Sequence, residues 1–208
     1  MNRSDYLKEA AVGLRELFFP RKCVVCGRYL ETGQEDVCPQ CMDGLPMTYQ
    51  WDFVQNSAFE RMAGKAMVEA AASLFFFRSE SDYRNILYAI KYGGRRQLAR
   101  RMGRMLGRQL AGSREFRRCQ AVVPVPLHPL RRWKRGYNQA EEIARGVAEA
   151  MELPLEARLL RRRRRTKTQT RLRGAAKAAN VKGAFRIDEA TASRLQAAGI
   201  SRLLIVDD

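Results

Sequence analysis

Apolar and polar residues follow two different patterns along this chain. Between residues 4 and 18 the apolar side chains fall on one face of a helix, which Ser4 can cap and Pro20 ends. From about residue 66 onward, short apolar runs are separated by longer amphipathic stretches. The second pattern predicts a larger domain in which strands and helices alternate.

That alternation indicates an α/β fold. Strands are predicted at 70–77, 121–126, 185–187 and 203–206, and helices at 81–91, 95–111, 138–151 and 189–198. The order is typical of a mostly parallel sheet with helices on both faces. Ligands bind such sheets beyond the carboxyl ends of the strands. We therefore expect chemistry in the loop after Pro126 and at the pair Asp207 and Asp208.

The charge of the chain narrows the kinds of partner. Its 208 residues include 39 Lys and Arg against 22 Asp and Glu, a formal net charge of +17. Such an excess favours nucleic acid, phosphorylated substrates or anionic membrane, although a merely solvated basic surface is the alternative. Apolar runs fall short of the roughly 20 residues that span a bilayer. Charged residues also interrupt any secretory signal, so we expect a cytoplasmic protein without a membrane span.

Four of the five cysteines form two C-x-x-C pairs. Two such pairs can place four thiolates around one zinc ion, which accepts tetrahedral sulfur ligation. Two disulfides are the alternative, and a reducing compartment disfavours them. Four thiolates leave no open position for a substrate, so we expect a structural zinc in a small ribbon. The predicted ligands are Cys23, Cys26, Cys38 and Cys41.

The segment from Val123 to Ala144, VPVPLHPLRRWKRGYNQAEEIA, is rich in cations and leads into a helix that Asn138 can cap. A basic loop before a helix N-terminus is suited to binding phosphate, and a solvated turn is the alternative. His128 is the single histidine, and such a residue more often packs or bonds than catalyses. Trp133 and Tyr137 flank the cations, where they would stack on a base or anchor the loop.

These features together resemble the ComF/GntX-type family of competence proteins. In that family a double-knuckle zinc ribbon precedes a type I phosphoribosyltransferase-like domain. The resemblance covers nearly the whole chain in order, and RGYNQ lies in its most specific stretch. The matching segments are CVVC and CPQC within 23–41, IKYGG at 90–94, the 123–144 segment, TKTQTRL at 166–172, NVKGAF at 180–185 and LLIVDD at 203–208.

The resemblance implies a phosphoribosyltransferase-like parallel sheet with flanking helices, which would bind phosphoribosyl pyrophosphate (PRPP) with magnesium. Asp207 and Asp208 would hold the ribose hydroxyls, and segment 161–173 would close over the site. The implied pyrophosphate contacts are Leu127, His128, Arg131 and Arg132, and the implied loop residues are Arg163, Arg164, Arg165, Thr166 and Lys167. The implied domains are a helix at 1–20, the ribbon at 21–45, a linker at 46–65 and the transferase-like domain at 66–208.

The resemblance leaves two functions open. One is a phosphoribosyltransferase acting on an unidentified acceptor. The other is a non-catalytic component of DNA uptake that binds single-stranded DNA or proteins of the competence machinery. In the family a Thr- and Gly-rich turn follows the aspartates and binds the 5′-phosphate, whereas this sequence stops at Asp208. We therefore expect either a fragment of a longer protein or a truncated form, which as written would bind PRPP weakly and have little or no catalytic activity.

Overall fold

The computed structural model describes residues 20–64, 66–163 and 183–208. The helix predicted at 4–18 and the predicted loop residues Arg164, Arg165, Thr166 and Lys167 lie outside these ranges. The chain divides into two compact units that do not follow its linear order. The first, here the cysteine unit, holds the described residues up to Pro46 together with Phe77–Ala89. The second, the helix–sheet unit, holds the described residues within Met47–Phe76 and Ile90–Asp208.

The cysteine unit is built from short turns. An antiparallel bridge joins Lys22 to Tyr29, and helix α1 follows at Pro39–Asp43. Tyr83 packs closely against the residue that ends this helix: a Cβ added to Gly44 would lie 2.7 Å from the Tyr83 hydroxyl oxygen. Only glycine fits there without a shift of the aromatic ring. Residues 77–89 therefore belong to the same compact body as the cysteines, although they are distant in sequence.

Two helices form the centre of the helix–sheet unit. They are α4 at Arg96–Gly112 and α6 at Gln139–Met151. Gly103 and Gly146 let their backbones approach, because a Cβ at either position would lie 2.0 Å from a carbonyl oxygen of the other helix. Among the described residues, the remaining helices are α2 at Ser57–Met62, α3 at Arg84–Tyr92, α5 at Pro129–Arg135 and α7 at Glu189–Ala197, with 3-10 turns at Gln50–Asp52 and Phe116–Arg118.

A small parallel sheet crosses the helix–sheet unit. Strand β1, Ala121–Pro124, is wholly buried and pairs in parallel with β4, Leu203–Val206, so that Val122 lies opposite Leu204. Strand β4 alternates exposed and buried residues. The structure confirms a mixed fold with parallel pairing. The described residues do not show the complete sheet of a type I phosphoribosyltransferase.

A second, antiparallel pair lies elsewhere in the unit. Strand β2, Leu160–Arg162, pairs with β3, Phe185–Ile187, and the amide of Arg163 extends the pairing by donating to Ala184. The strand predicted at 185–187 is thus confirmed, while its partner β2 was not foreseen. Leu159 of the preceding turn packs with Val123 and Leu195, which joins this hairpin to the core.

The strand predicted at 70–77 is wrong. In its place the structure has one antiparallel bridge, between Met47 and Phe75, while Phe76 and Phe77 are about half exposed. The side-chain oxygen of Gln50 accepts hydrogen bonds from the amide and hydroxyl of Ser73. An unbroken apolar run fits several backbone conformations, because it lacks the period that would select one of them.

Candidate metal centre and candidate anion site

The four predicted metal ligands come together in the cysteine unit. The sulfurs of Cys23, Cys26, Cys38 and Cys41 all lie within 4.8 Å of one another, and those of Cys26 and Cys38 are 3.8 Å apart. A tetrahedral zinc with Zn–S bonds of about 2.3 Å requires S–S separations of roughly 3.8 Å. All five cysteines are free, so the structure does not contain the alternative disulfides. The cluster could hold a structural zinc.

Local backbone geometry positions these sulfurs. Gly27 adopts φ of +73° and its amide donates to the carbonyl of Cys23, which turns the first C-x-x-C back on itself. The second pair begins α1: Cys38 is its N-cap residue, and Pro39 occupies the first turn. The Cys38 amide also donates to the Cys23 sulfur at 3.4 Å. Each pair is therefore shaped by its own sequence, and an amide–sulfur bond joins the two.

Arg28 modifies the charge of the cluster. Its guanidinium donates to the Cys26 sulfur at 3.4 Å and approaches the Cys38 sulfur at 3.8 Å. The Arg28 side chain, followed by its backbone amide, lowers the pKa of Cys26 to about 6. Burial raises the pKa of the Cys41 thiol instead. Since thiolates are the metal ligands, metal binding here would release protons.

A second candidate site lies at one edge of the parallel sheet. Asp207 and Asp208 directly follow β4, and the amide of Val125, just after β1, donates to the carbonyl of Val206 at 2.9 Å. Because parallel strands end at the same edge, the loop after β1 starts beside the two aspartates. This is the arrangement that the order of elements predicts.

Cations from other elements surround the carboxylates. The Lys91 ammonium lies 3.1 Å from an oxygen of Asp208. Arg162, at the end of β2, lies close enough to Arg131 and Asp207 for both to affect its pKa. Burial, followed by Arg131, lowers the pKa of Arg162, and Asp207 raises it. Lys91 has no role predicted from the sequence, and Arg162 is predicted only as one member of the loop segment 161–173. Their motifs, IKYGG and the arginine run, are visible in the sequence, but no local pattern shows which member faces the aspartates.

The acidic pair is itself electrostatically perturbed. Asp207 is exposed as a residue, but desolvation of its carboxyl raises its pKa, and the adjacent Asp208 raises it further. Lys91 and Arg162 act in the opposite direction. Two neighbouring carboxylates with cations beside them can together bind the hydroxyls and the phosphates of one ligand.

The predicted pyrophosphate contacts have mixed positions. Leu127 is partly buried in the loop, and the His128 imidazole accepts a hydrogen bond from the Leu130 amide at 3.3 Å, which makes it the N-cap of α5. Arg131 lies within electrostatic range of Arg162. Arg132 instead pairs with Glu141 of α6 at 3.5 Å. Arg131 is therefore the predicted basic-loop cation that lies near Arg162, which in turn lies near Asp207.

The RGYNQ stretch anchors the loop. Gly136 ends α5 with φ of +76°, and the buried Tyr137 hydroxyl donates to the carbonyl of Ile90. Asn138 precedes α6, but its side chain does not cap the helix as expected. The side-chain amide of Asn138 instead donates a hydrogen bond to the carbonyl of Val125 at 3.1 Å. The residues that make this motif distinctive therefore fix the loop to β1 and α3. Of the two roles considered for Tyr137, the structure shows anchoring.

The fold and these sites define a class: a mixed α/β protein with a small parallel sheet, a four-cysteine cluster and an acidic–basic edge. The chain is similar to proteins named DNA utilization protein YhgH. It is 26% identical to that of Escherichia coli K12 over 193 residues, which cover 89% of this chain and 76% of the relative. The protein of the same name from Salmonella typhimurium is equally similar, with the same coverage.

A shorter stretch of higher identity links the chain to competence protein F of Haemophilus influenzae. The two are 35% identical over 66 residues, which is 32% of this chain and 29% of that protein. No protein-family profile matches the chain, and no solved structure matches it. Within the part of the chain that the structure describes, we find no helix with the length and apolar character needed to cross a bilayer.

Proposed function

We propose that this chain is a ComF-like protein of DNA uptake that binds PRPP, or a related phosphorylated sugar, together with magnesium. The observation that carries the proposal is the edge where Lys91 pairs with Asp208 and Arg162 lies near both Asp207 and Arg131. The names of the relatives, DNA utilization protein and competence protein F, support the biological role. A structural zinc in the cysteine cluster belongs to the same proposal.

The chemistry of PRPP suits the residues of this edge. Carboxylates accept hydrogen bonds from the ribose hydroxyls, and the adjacent cations offset the charge of the phosphates. Departure of pyrophosphate from C1 leaves positive charge on the sugar, as in glycoside cleavage. A bound magnesium would neutralise the leaving group. Asp207 and Asp208 would orient the ribose, while Arg131 and Arg162 would bind phosphate oxygens.

Calorimetric titration of PRPP with magnesium into the full chain tests the proposal. Asp207→Asn and Asp208→Asn remove the negative charge and replace one acceptor oxygen with a donor, so each should weaken binding at least tenfold, about 1.4 kcal/mol. Asp52→Asn is the matched control, because Asp52 is an exposed carboxylate of the same unit that follows a buried tryptophan. Absence of binding at millimolar PRPP, or wild-type affinity in both site variants, would contradict the proposal.

Single-stranded DNA binding is a second candidate function, favoured by the surface of α5. Trp133 is 81% exposed, and it lies in a run that contains Arg131, Arg132, Lys134 and Arg135. Nearby, the guanidinium of Arg135 lies 5.3 Å from the ring centre of Tyr92, which is 70% exposed. Exposed aromatic rings among cations are typical of surfaces that stack bases and bind the phosphate backbone.

Fluorescence anisotropy titration with a dye-labelled oligothymidine tests this second function, because this signal does not depend on Trp133. Affinity should fall steeply with salt, and Trp133→Ala should cost about 1–3 kcal/mol of binding free energy. Phe53→Ala removes another exposed aromatic side chain, one that follows Asp52 rather than a cation, and serves as the control. An affinity that does not change with salt would rule out phosphate contacts.

A further inference from the structure

Lys91 contacts the carboxylate pair although neither its motif nor its neighbours predict a role for it. Its ammonium lies 3.1 Å from an oxygen of Asp208, with 27% of the lysine side chain and 18% of the aspartate side chain exposed. The two residues come from distant parts of the chain, the last turn of α3 and the end of β4. The pair is thus a tertiary contact in a partly enclosed place.

The backbone around Lys91 is held on both sides. The preceding residue, Ile90, accepts the hydrogen bond of the buried Tyr137 hydroxyl. The following residue, Tyr92, lies under the guanidinium of Arg135. Three consecutive residues of α3 therefore contact the basic loop or the aspartates. These contacts of the two flanking residues hold the backbone of Lys91 in place, although the lysine lies in the last turn of a helix.

The charges at this edge explain why such a cation is needed. Asp207 and Asp208 are adjacent and repel each other when both are ionised. Lys91 and Arg162 are the cations that lower the pKa of Asp207, against desolvation and Asp208. Asp208 is also near enough to Tyr137 to raise the pKa of the Tyr137 phenol. Without Lys91, the balance at the two carboxylates would shift toward repulsion.

We propose that Lys91 is a positioning residue, which holds Asp208 beside Asp207. In this position the two carboxylates can accept hydrogen bonds from adjacent hydroxyls of one phosphorylated sugar. This inference rests on the function proposed above. An ammonium has three donors, and its bond to Asp208 uses one of them. The others can bind a phosphate oxygen of the ligand while Asp208 stays in place. Lys91 thereby links the hydroxyl-binding and phosphate-binding parts of the site.

The first experiment needs no ligand. The carboxyl resonance of Asp207 is titrated by carbon-13 NMR in the full wild-type chain, Lys91→Gln and Lys91→Arg. Loss of the cation should raise the apparent pKa of Asp207 by about one unit or more, whereas arginine should leave it near the wild-type value. Arg108→Gln removes an equal charge from an exposed position on α4 and should cause no such shift. An unchanged titration in Lys91→Gln would overturn the proposal.

The second experiment measures PRPP binding with magnesium by calorimetry between pH 5 and pH 8. A higher pKa leaves Asp207 protonated at higher pH, so the affinity of Lys91→Gln should be at least tenfold lower and should fall further as the pH decreases. Lys91→Arg should restore most of the affinity. If the wild type binds and Lys91→Gln binds equally well, Lys91 has no positioning role. If the wild type does not bind, the proposed function fails, and the Asp207 titration alone decides on the lysine.

Discussion

The cysteine unit and the helix–sheet unit achieve order by different means. The cysteine unit consists mainly of turns, one five-residue helix and four clustered thiols. The helix–sheet unit has a buried strand and two long helices in backbone contact. A short segment cannot bury enough apolar surface to fold by packing alone, so a metal ion held by the four thiols would supply the missing free energy. The difference between the units therefore predicts that loss of metal affects the cysteine unit and that loss of packing affects the helix–sheet unit.

Removal of metal should have the largest effect, and only on the cysteine unit. Structural zinc sites contribute about 10–16 kcal/mol of apparent binding free energy. After chelation, we expect amide hydrogen exchange to rise throughout residues 20–46 and 77–89, while α4 and α6 stay protected. Cys23→Ser should reproduce the result and Cys119→Ser should not, because Cys119 lies outside the cluster. Retained protection in the chelated cysteine unit would show that it folds by packing.

The converse change targets the helix contact. Gly103→Ala places a methyl group against a backbone carbonyl that cannot move aside, so it should lower the free energy of unfolding by roughly 1–3 kcal/mol. Gly112→Ala at the end of the same helix meets nothing within 4 Å and should be neutral or stabilising by up to about 1 kcal/mol. Urea denaturation followed by circular dichroism measures both. If the two substitutions had equal effects on the free energy of unfolding, the close helix contact at Gly103 would not contribute to stability as proposed.

A smaller effect is expected from the buried phenol. Tyr137→Phe removes the hydrogen bond to Ile90 and should cost about 1 kcal/mol at pH 8. Burial raises the pKa of Tyr137 to about 12, above the ordinary value of about 10. The phenol's contribution is therefore complete below pH 10 and is lost as the pH rises toward 12. Urea denaturation at pH 8 and pH 11 should show the difference between wild type and variant narrowing, and a constant difference would contradict this account.

The smallest effect concerns the start of α7. Asp188 accepts bonds from the Thr191 hydroxyl and amide and pairs with Arg161 at 2.8 Å. The hydrogen bonds from Thr191 lower the pKa of Asp188, and Arg161 contributes after them. Its stabilisation is present above the unfolded pKa of about 3.9 and is lost as the pH falls through the lower folded value. Asp188→Ala should thus shift the thermal midpoint slightly at pH 7 and not at pH 2.5.

The sequence predicts the two sites to different extents. The cysteine quartet is recognisable because its ligands are close in sequence and two short turns bring each pair together. The meeting of the basic loop with Asp207 and Asp208 follows from parallel strands that end at one edge. Lys91 and Arg162 could not be assigned, since their partners lie on elements whose relative placement depends on the tertiary fold.

Side-chain direction is equally hard to predict from local patterns. Asn138 stands where a helix cap is expected, yet its side-chain amide donates a hydrogen bond to the carbonyl of Val125. Arg132 belongs to the predicted basic loop, yet it faces Glu141. The apolar run at 70–77 has strand-like composition, and the structure leaves two of its phenylalanines about half exposed. In the first two cases the residue type was recognised and longer-range packing chose its partner, whereas at 70–77 the predicted strand itself was wrong.

One of the four cysteines of the cluster is accessible to solvent. Cys23, Cys38 and Cys41 are buried, whereas Cys26 is exposed with Arg28 beside its sulfur. Competing chelators and electrophiles would therefore reach one thiolate before the other three. For an ion held there, the rate of exchange would be limited by the release of Cys26, and the lifetime of the bound state could be tuned at this one position without rebuilding the ribbon.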